Sequence, residues 1–219
     1  MILDIRLLNK KYKLNINGLL HIGAHFGQEI DIYKQFGIKD VILFEPTPYS
    51  YFILQIRNNN IYDAYNLALG NHNKKIYINS ETANNGQSNS ILDPKLHLKL
   101  YPQIVFSYKI EAQMVKLDDF MREYHSVLKN SSKKFNFIVI DVQGYELEVL
   151  KGANEALKIA DLVLLEVSFI SCNRSAPLFH EVVIFMKNRG FLIYDICSLP
   201  RWKENTLFQA DVFFVREDS

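Results

Sequence analysis

Cysteine is scarce in this sequence of 219 residues, and tryptophan, proline and glycine are too: the chain holds 2 Cys, 1 Trp, 6 Pro and 9 Gly. Cys172 and Cys197 form no C-x-x-C pair. That excludes a disulfide scaffold and a cysteine-built zinc site, and it points to a reducing, cytoplasmic setting. An excess of either charge is missing, since 25 Lys and Arg face 24 Asp and Glu. With a formal net charge of +1, no bulk field draws the chain to nucleic acid or to an anionic membrane. Long apolar runs are absent. Stretches such as 137–140 and 162–165 are strand-sized, far short of the roughly 20 residues of a membrane helix, and MILDIRLLNKKYKL has no signal-peptide hydrophobic block. Internal repeats, low-complexity segments and Pro/Gly/Ser linkers are lacking as well, so one domain over 1–219 is expected. What remains is a chain 48% hydrophobic and 22% charged, a composition that folds around an apolar core without metals or disulfides.

Short apolar β-like runs alternate with helix-period segments along most of the chain, the signature of a parallel α/β sheet. Strands are expected at 19–23, 41–45, 61–69, 135–141, 161–167, 191–196 and 210–215. Helices are expected at 28–36, 48–58, 117–128, 146–157 and 177–189, with Gly37 and Gly190 as stops. Residues 1–16 read as an amphipathic packing helix. From 70 to 114 the pattern loosens into an insertion or lid, with edge-strand alternation at 75–79 and 108–114 around a polar, turn-rich stretch at 82–89.

Open parallel sheets bind ligands at the carboxyl ends of their strands. After the first strand comes His21-Ile22-Gly23-Ala24-His25-Phe26-Gly27-Gln28-Glu29, in which Gly23 permits a tight turn and Gly27 a close approach of backbone to ligand. A dinucleotide fingerprint needs a middle glycine for the pyrophosphate. His25 stands there, so the loop suits a nucleoside ligand without bridging phosphates. The second strand ends at Glu45, 22 residues past Gly23, a spacing at which a carboxylate commonly accepts both ribose hydroxyls, the other reading being a helix-capping or surface glutamate. His21 and His25 lie across a strand and a turn, so the helical geometry of a zinc pair does not apply, and ligand contact is a candidate role for either.

The combination of HIGAHFGQE, FEP, NLALGN, KLDDF, IDVQGYELEVLKGA and LEVS, in this order, resembles the FkbM family of S-adenosylmethionine-dependent methyltransferases over residues 17–216. Two positions depart from the usual pattern: Gln143 stands where glutamate is usual, and His21 where many members carry aspartate. The resemblance implies a class I methyltransferase (Rossmann-like) fold, a mostly parallel seven-stranded α/β sheet with helices on both faces and the last strand antiparallel. It implies O-methylation of a hydroxyl, most often on a sugar, glycan or other small molecule. It also implies roles for residues. Gly23 and Gly27 border the methionine and ribose, Glu45 holds the ribose hydroxyls, Leu67 and Ala68 flank the adenine, and Asp141 sits beside the reacting methyl.

A sugar hydroxyl is a poor nucleophile, so its proton must pass to a base or be acidified by a divalent metal, which no motif here implies. Asp141 is the first candidate base and Glu166 the second, although a carboxylate at a strand end also commonly caps the turn that follows. His180 either faces the acceptor or lies at the surface. Glu146 reads as a first-turn residue favoured by the helix dipole and Glu148 as solvated. The stretch 84–90 either lines the acceptor site or is a flexible turn. Two other readings compete: a nucleotide-dependent oxidoreductase, and a non-catalytic binding protein on the same fold.

Overall fold

The computed structural model describes residues 15–127, 133–202 and 205–217. The helix expected over 1–16 lies outside these residues except for Asn15 and Ile16, which carry no regular structure. Among the described residues no helix is long and apolar enough to cross a membrane.

Strands β1 (Leu19–Ile22), β2 (Val41–Phe44), β3 (Asp63–Tyr65), β7 (Phe137–Ile140), β8 (Leu162–Ser168), β9 (Phe191–Ser198) and β12 (Gln209–Arg216) form one sheet in the order β3-β2-β1-β7-β8-β12-β9. Only β12 runs against its neighbours. Every residue of β1, β2 and β7 is buried, as expected for parallel strands covered on both faces. Side chains alternate across the pleat. Leu20, Ile22, Ile42, Phe44, Ile138 and Ile140 pack on one face, while Leu19, Val41, Leu43, Phe137 and Val139 pack on the other. The first face is covered by α4 (Leu117–Val127), α5 (Glu146–Lys151), α6 (Asn154–Ile159) and α7 (Phe179–Lys187) through Leu117, Leu150, Leu157 and Met186; the second by α1 (Ile30–Gln35) and α2 (Pro48–Asn58) through Tyr33 and Leu54. A large side chain such as Phe137 at this centre contributes about 3–5 kcal/mol relative to alanine.

Two expected elements are divided. The run 61–69 is not one strand: β3 joins the large sheet, whereas β4 (Ala68–Leu69) joins a separate three-stranded sheet of order β4-β6-β5. The break is made by Asn66, whose Nδ2 donates to the Glu45 carbonyl at 2.8 Å, so that the chain turns off the edge of β2. The helix expected over 146–157 is interrupted between α5 and α6. A Cβ at Gly152 would lie 2.0 Å from the Gly70 carbonyl oxygen, and α6 restarts with the Asp118 carboxylate accepting the N–H groups of Glu155 and Ala156. The insertion holds β5 (Lys74–Glu81) and β6 (Phe106–Val115) as an antiparallel pair, with α3 (His97–Leu100) between them. A hairpin β10 (Arg201–Trp202) and β11 (Thr206–Leu207) precedes β12.

Candidate active site

The carboxyl ends of β1, β2, β7 and β8 open into a cavity of about 750 Å³ roofed by the insertion. Gly23, at φ 86°, makes the turn out of β1, and a Cβ there would overlap the Asp141 carbonyl oxygen at 1.9 Å. Only glycine fits this contact, which lets the loop lie against the end of β7. Gly27 behaves otherwise than expected. It has a positive φ of 70°, but it does not line the cavity; a Cβ would strike Ile30 and Leu54 at 2.6 and 2.7 Å, so its smallness serves packing beneath the loop.

His25 lines the cavity with a left-handed φ of 47°, a conformation costing a non-glycine residue roughly 1–2 kcal/mol. Its ring is held on both sides: Gln28 Nε2 donates to Nδ1 at 3.0 Å, and Nε2 donates to the Asn85 carbonyl at 2.9 Å. The ring stacks on Phe26 at 3.9 Å. Beyond the sequence expectation of ligand contact, His25 therefore fastens the polar loop 82–90 over the cavity.

Glu45 is 5% exposed. One oxygen accepts the Thr47 N–H and hydroxyl at 2.8 and 2.6 Å, and the other accepts the His25 N–H at 3.0 Å. Burial pushes its pKa above the ordinary range, while Thr47 and His25 pull it back. A carboxylate oxygen offers two acceptor sites, so Oε2 retains one for a hydroxyl in the cavity. Leu67 and Ala68 line the same cavity.

His21 is 5% exposed, and its Nδ1 lies 3.0 Å from the Tyr33 hydroxyl, which makes no other bond among the described residues. Burial drops its pKa to about 4, so the ring that meets the cavity is neutral at physiological pH. Glu29, beside it, is pushed up to about 7 by burial.

At the end of β7, Asp141, Glu146 and Glu166 bring carboxylate oxygens within 4.8 Å of one another. Gln143 Nε2 donates to Asp141 Oδ1 at 3.0 Å and to Glu166 Oε2 at 3.3 Å, and Gln209 Nε2 donates to the same Glu166 oxygen at 3.0 Å. Glu146 opens α5 as the expected first-turn acid, but it is buried. It is 3% exposed, its Oε1 accepts the N–H groups of Val142 and Gly144, and burial pushes it up to about 7. Burial and neighbouring acids hold Glu166 well above the carboxylate range.

The structure thus brings His21, Gly23, His25, Glu45, Leu67, Ala68, Asp141 and Glu166 to one cavity. His180 stands exposed on α7 and does not line it, because the apolar residues of that helix turn Val182 and Met186 inward instead. Sequence reasoning missed Glu29, Gln143 as a bridge, Gln209 and His97. His97 lines the cavity between Tyr101 and Phe106, with Nδ1 enclosed and unpartnered among the described residues. Glu29, inside the glycine turn, and Gln143, inside the motif after β7, stood in the informative segments; His97 and Gln209 carried no local signal.

The profile of the methyltransferase FkbM domain matches residues 21–193. The chain belongs to the FkbM methyltransferase family. S-adenosylmethionine is the methyl donor of that family. Methyltransferase sdnD of Sordaria araneosa is 27% identical over 157 residues, which span 63% of this chain and 60% of that protein. Among solved structures, methyltransferase FkbM of Methylobacillus flagellatus KT superposes with a TM-score of 0.51 at 13% identity, covering 90% of this FkbM-family chain and 43% of that one. Sp1610 of Streptococcus pneumoniae, proposed to be a tRNA (m1A22) methyltransferase, gives 0.52 at 12% identity over 99% of this chain and 71% of its own. These likenesses identify the class I methyltransferase fold, with its seven-stranded sheet and reversed β12.

Proposed function

We propose that this chain binds S-adenosylmethionine in the cavity at the strand ends and transfers its methyl group to a hydroxyl of a small acceptor, a saccharide by family resemblance. The observation that carries the reading is the sign of the cavity. Glu29, Glu45, Asp141 and Glu166 line it, and no Lys or Arg does so among the described residues. A pyrophosphate would find no cation there and would meet the side chain of His25, which disfavours a dinucleotide. A sulfonium with an α-ammonium group is the complementary charge. Glu45 would hold one ribose hydroxyl through its remaining acceptor site, Leu67 and Ala68 would flank the adenine, and His21, Glu29 and Gly23 would border the methionine end.

S-adenosylmethionine, when bound, supplies a methyl group whose C–S bond breaks as the C–O bond forms, the electron pair staying on sulfur. Asp141 takes the hydroxyl proton, and the cavity walls align acceptor and donor, which contributes much of the rate in such displacements. Near-neutral charge supports a small acceptor over nucleic acid.

Calorimetry with S-adenosylhomocysteine and with NAD tests the reading. One site for the former and none for the latter is expected. Silence towards S-adenosylhomocysteine at millimolar concentration would overturn it.

A further inference from the structure

The turn after β7 is held in a conformation its sequence does not favour. Gln143 has a φ of 54° and Gly144 a φ of 98°, and only the glycine adopts such angles freely. The backbone at Gln143 is fixed from several directions. Its carbonyl accepts Ser90 Oγ–H at 2.8 Å and Asn173 Nδ2–H at 2.9 Å. On either side, the N–H groups of Val142 and Gly144 are taken by Glu146 Oε1 at 3.1 and 3.0 Å. Strain that the surroundings over-determine in this way clusters where the aim of a side chain matters. Here the aim is specific, because Nε2 of Gln143 lies 3.0 Å from Asp141 Oδ1 and 3.3 Å from Glu166 Oε2. An amide nitrogen carries two hydrogens, and each finds one carboxylate.

We propose that Gln143 is a positioning residue that locks Asp141 and Glu166 into a metal-free pair, its amide hydrogens filling the space between the carboxylates that a divalent cation would otherwise take. The role of Asp141 rests on the methyltransferase reading; the lock itself does not. Carboxylate oxygens as close as those of Asp141, Glu146 and Glu166 are what hard cations such as Mg²⁺ and Mn²⁺ use. In this chain one oxygen of each of these carboxylates accepts an N–H. Glu146 is occupied by the turn, Glu166 accepts Gln209 as well as Gln143, and Asp141 accepts Gln143. A cation arriving between Asp141 and Glu166 would meet the positive end of the amide dipole. The other titratable groups near the pair among the described residues are His21 from β1, Glu29 ahead of α1, Asp211 from β12, and Tyr101 and Cys172 beside Glu166. Burial and the neighbouring acids hold Glu166 well above the usual carboxylate range.

Mn²⁺ uptake followed by electron paramagnetic resonance tests the lock, with S-adenosylhomocysteine affinity measured on the same proteins. The wild type is expected to leave millimolar Mn²⁺ free. Gln143→Glu exchanges the amide donors for a further carboxylate and is expected to bind the ion, and adding Asp141→Asn should abolish that binding. Mn²⁺ held by the wild type and released by Asp141→Asn overturns the proposal, and so does a Gln143→Glu protein that gains none. Should Gln143→Glu not fold, Gln143→Asn suits the left-handed turn and withdraws the amide by one methylene. It should take up Mn²⁺ at a concentration that the wild type leaves free, as the carboxylates are released, and a Gln143→Asn protein that also leaves the ion free overturns the proposal. Expected Mn²⁺ behaviour without S-adenosylhomocysteine binding would refute the methyltransferase reading and leave the lock standing. The reverse pattern would refute the lock alone.

Discussion

Nε2 of His25 donates to the carbonyl of Asn85 across 2.9 Å of space and 60 residues of chain. The turn after β1 is thereby tied to the loop that roofs the cavity, and Gln28 keeps the ring in the orientation that makes the bond. His25→Ala removes a hydrogen bond of about 1 kcal/mol. Amides of residues 84–89 should then exchange with solvent about fivefold faster, while β1 and β7 keep their protection. Hydrogen exchange by mass spectrometry reads this directly, and unchanged loop exchange would show that His25 is no latch.

Glu45 accepts three hydrogen bonds and keeps one acceptor site for the cavity. Replacing it by alanine removes charge-assisted bonds worth about 1.5–3 kcal/mol, so affinity for S-adenosylhomocysteine should fall roughly tenfold to a hundredfold. Calorimetry at constant pH measures it. Unchanged affinity would mean that Glu45 serves only Thr47 and His25.

Burial raises the pKa of Glu146 to about 7 from an ordinary 4.5. The folded state therefore binds this proton more tightly than the unfolded chain does, so its contribution is complete below pH 4.5 and is lost as pH rises through about 7. Glu29, raised to about 7, and Asp211, raised to about 6, act in the same direction. His21, lowered to about 4, acts oppositely as pH falls from 6.5. Glu146→Gln keeps an acceptor for Val142 and Gly144 but cannot ionise. Relative to the wild type it should gain stability as pH rises from 4.5 to about 7, by up to roughly 3 kcal/mol, and then level off. Urea melts across that range check the slope; parallel curves would show that Glu146 does not titrate there.

Asp141→Asn preserves shape and removes the carboxylate proposed as the base. Methyl transfer to a responsive saccharide, followed with labelled donor, should fall by roughly 10²-fold or more, the scale of general-base loss. S-adenosylhomocysteine affinity should change little. Near-normal turnover would make Asp141 a structural carboxylate and move the base to Glu166.

Much of the architecture was legible because it follows from short-range pattern. Runs such as Phe137–Ile140 can be buried only in a sheet covered on both faces, and the amphipathic segments between them can only be its helices. Gly23 was readable for the same reason, since the tight turn out of a buried strand needs a residue that tolerates positive φ. The acidic end of β2 at Glu45 followed from spacing alone.

Other features depended on segments that meet only in the folded chain. That Asn66 ends β3 follows from its bond to the Glu45 carbonyl, and that Gly152 divides the helix follows from Gly70 lying against it. Nothing local distinguishes Gly27 as a packing glycine or turns His180 away from the cavity. Periodicity reports which face of an element is apolar, because neighbours in the chain settle that. Hydrogen-bond partners are settled by where loops converge. The bridge from Gln143 to Glu166, 23 residues away, and the burial of Glu146 beneath its own turn were decided by tertiary structure, which removed water and left each carboxylate only the donors that the fold brought to it.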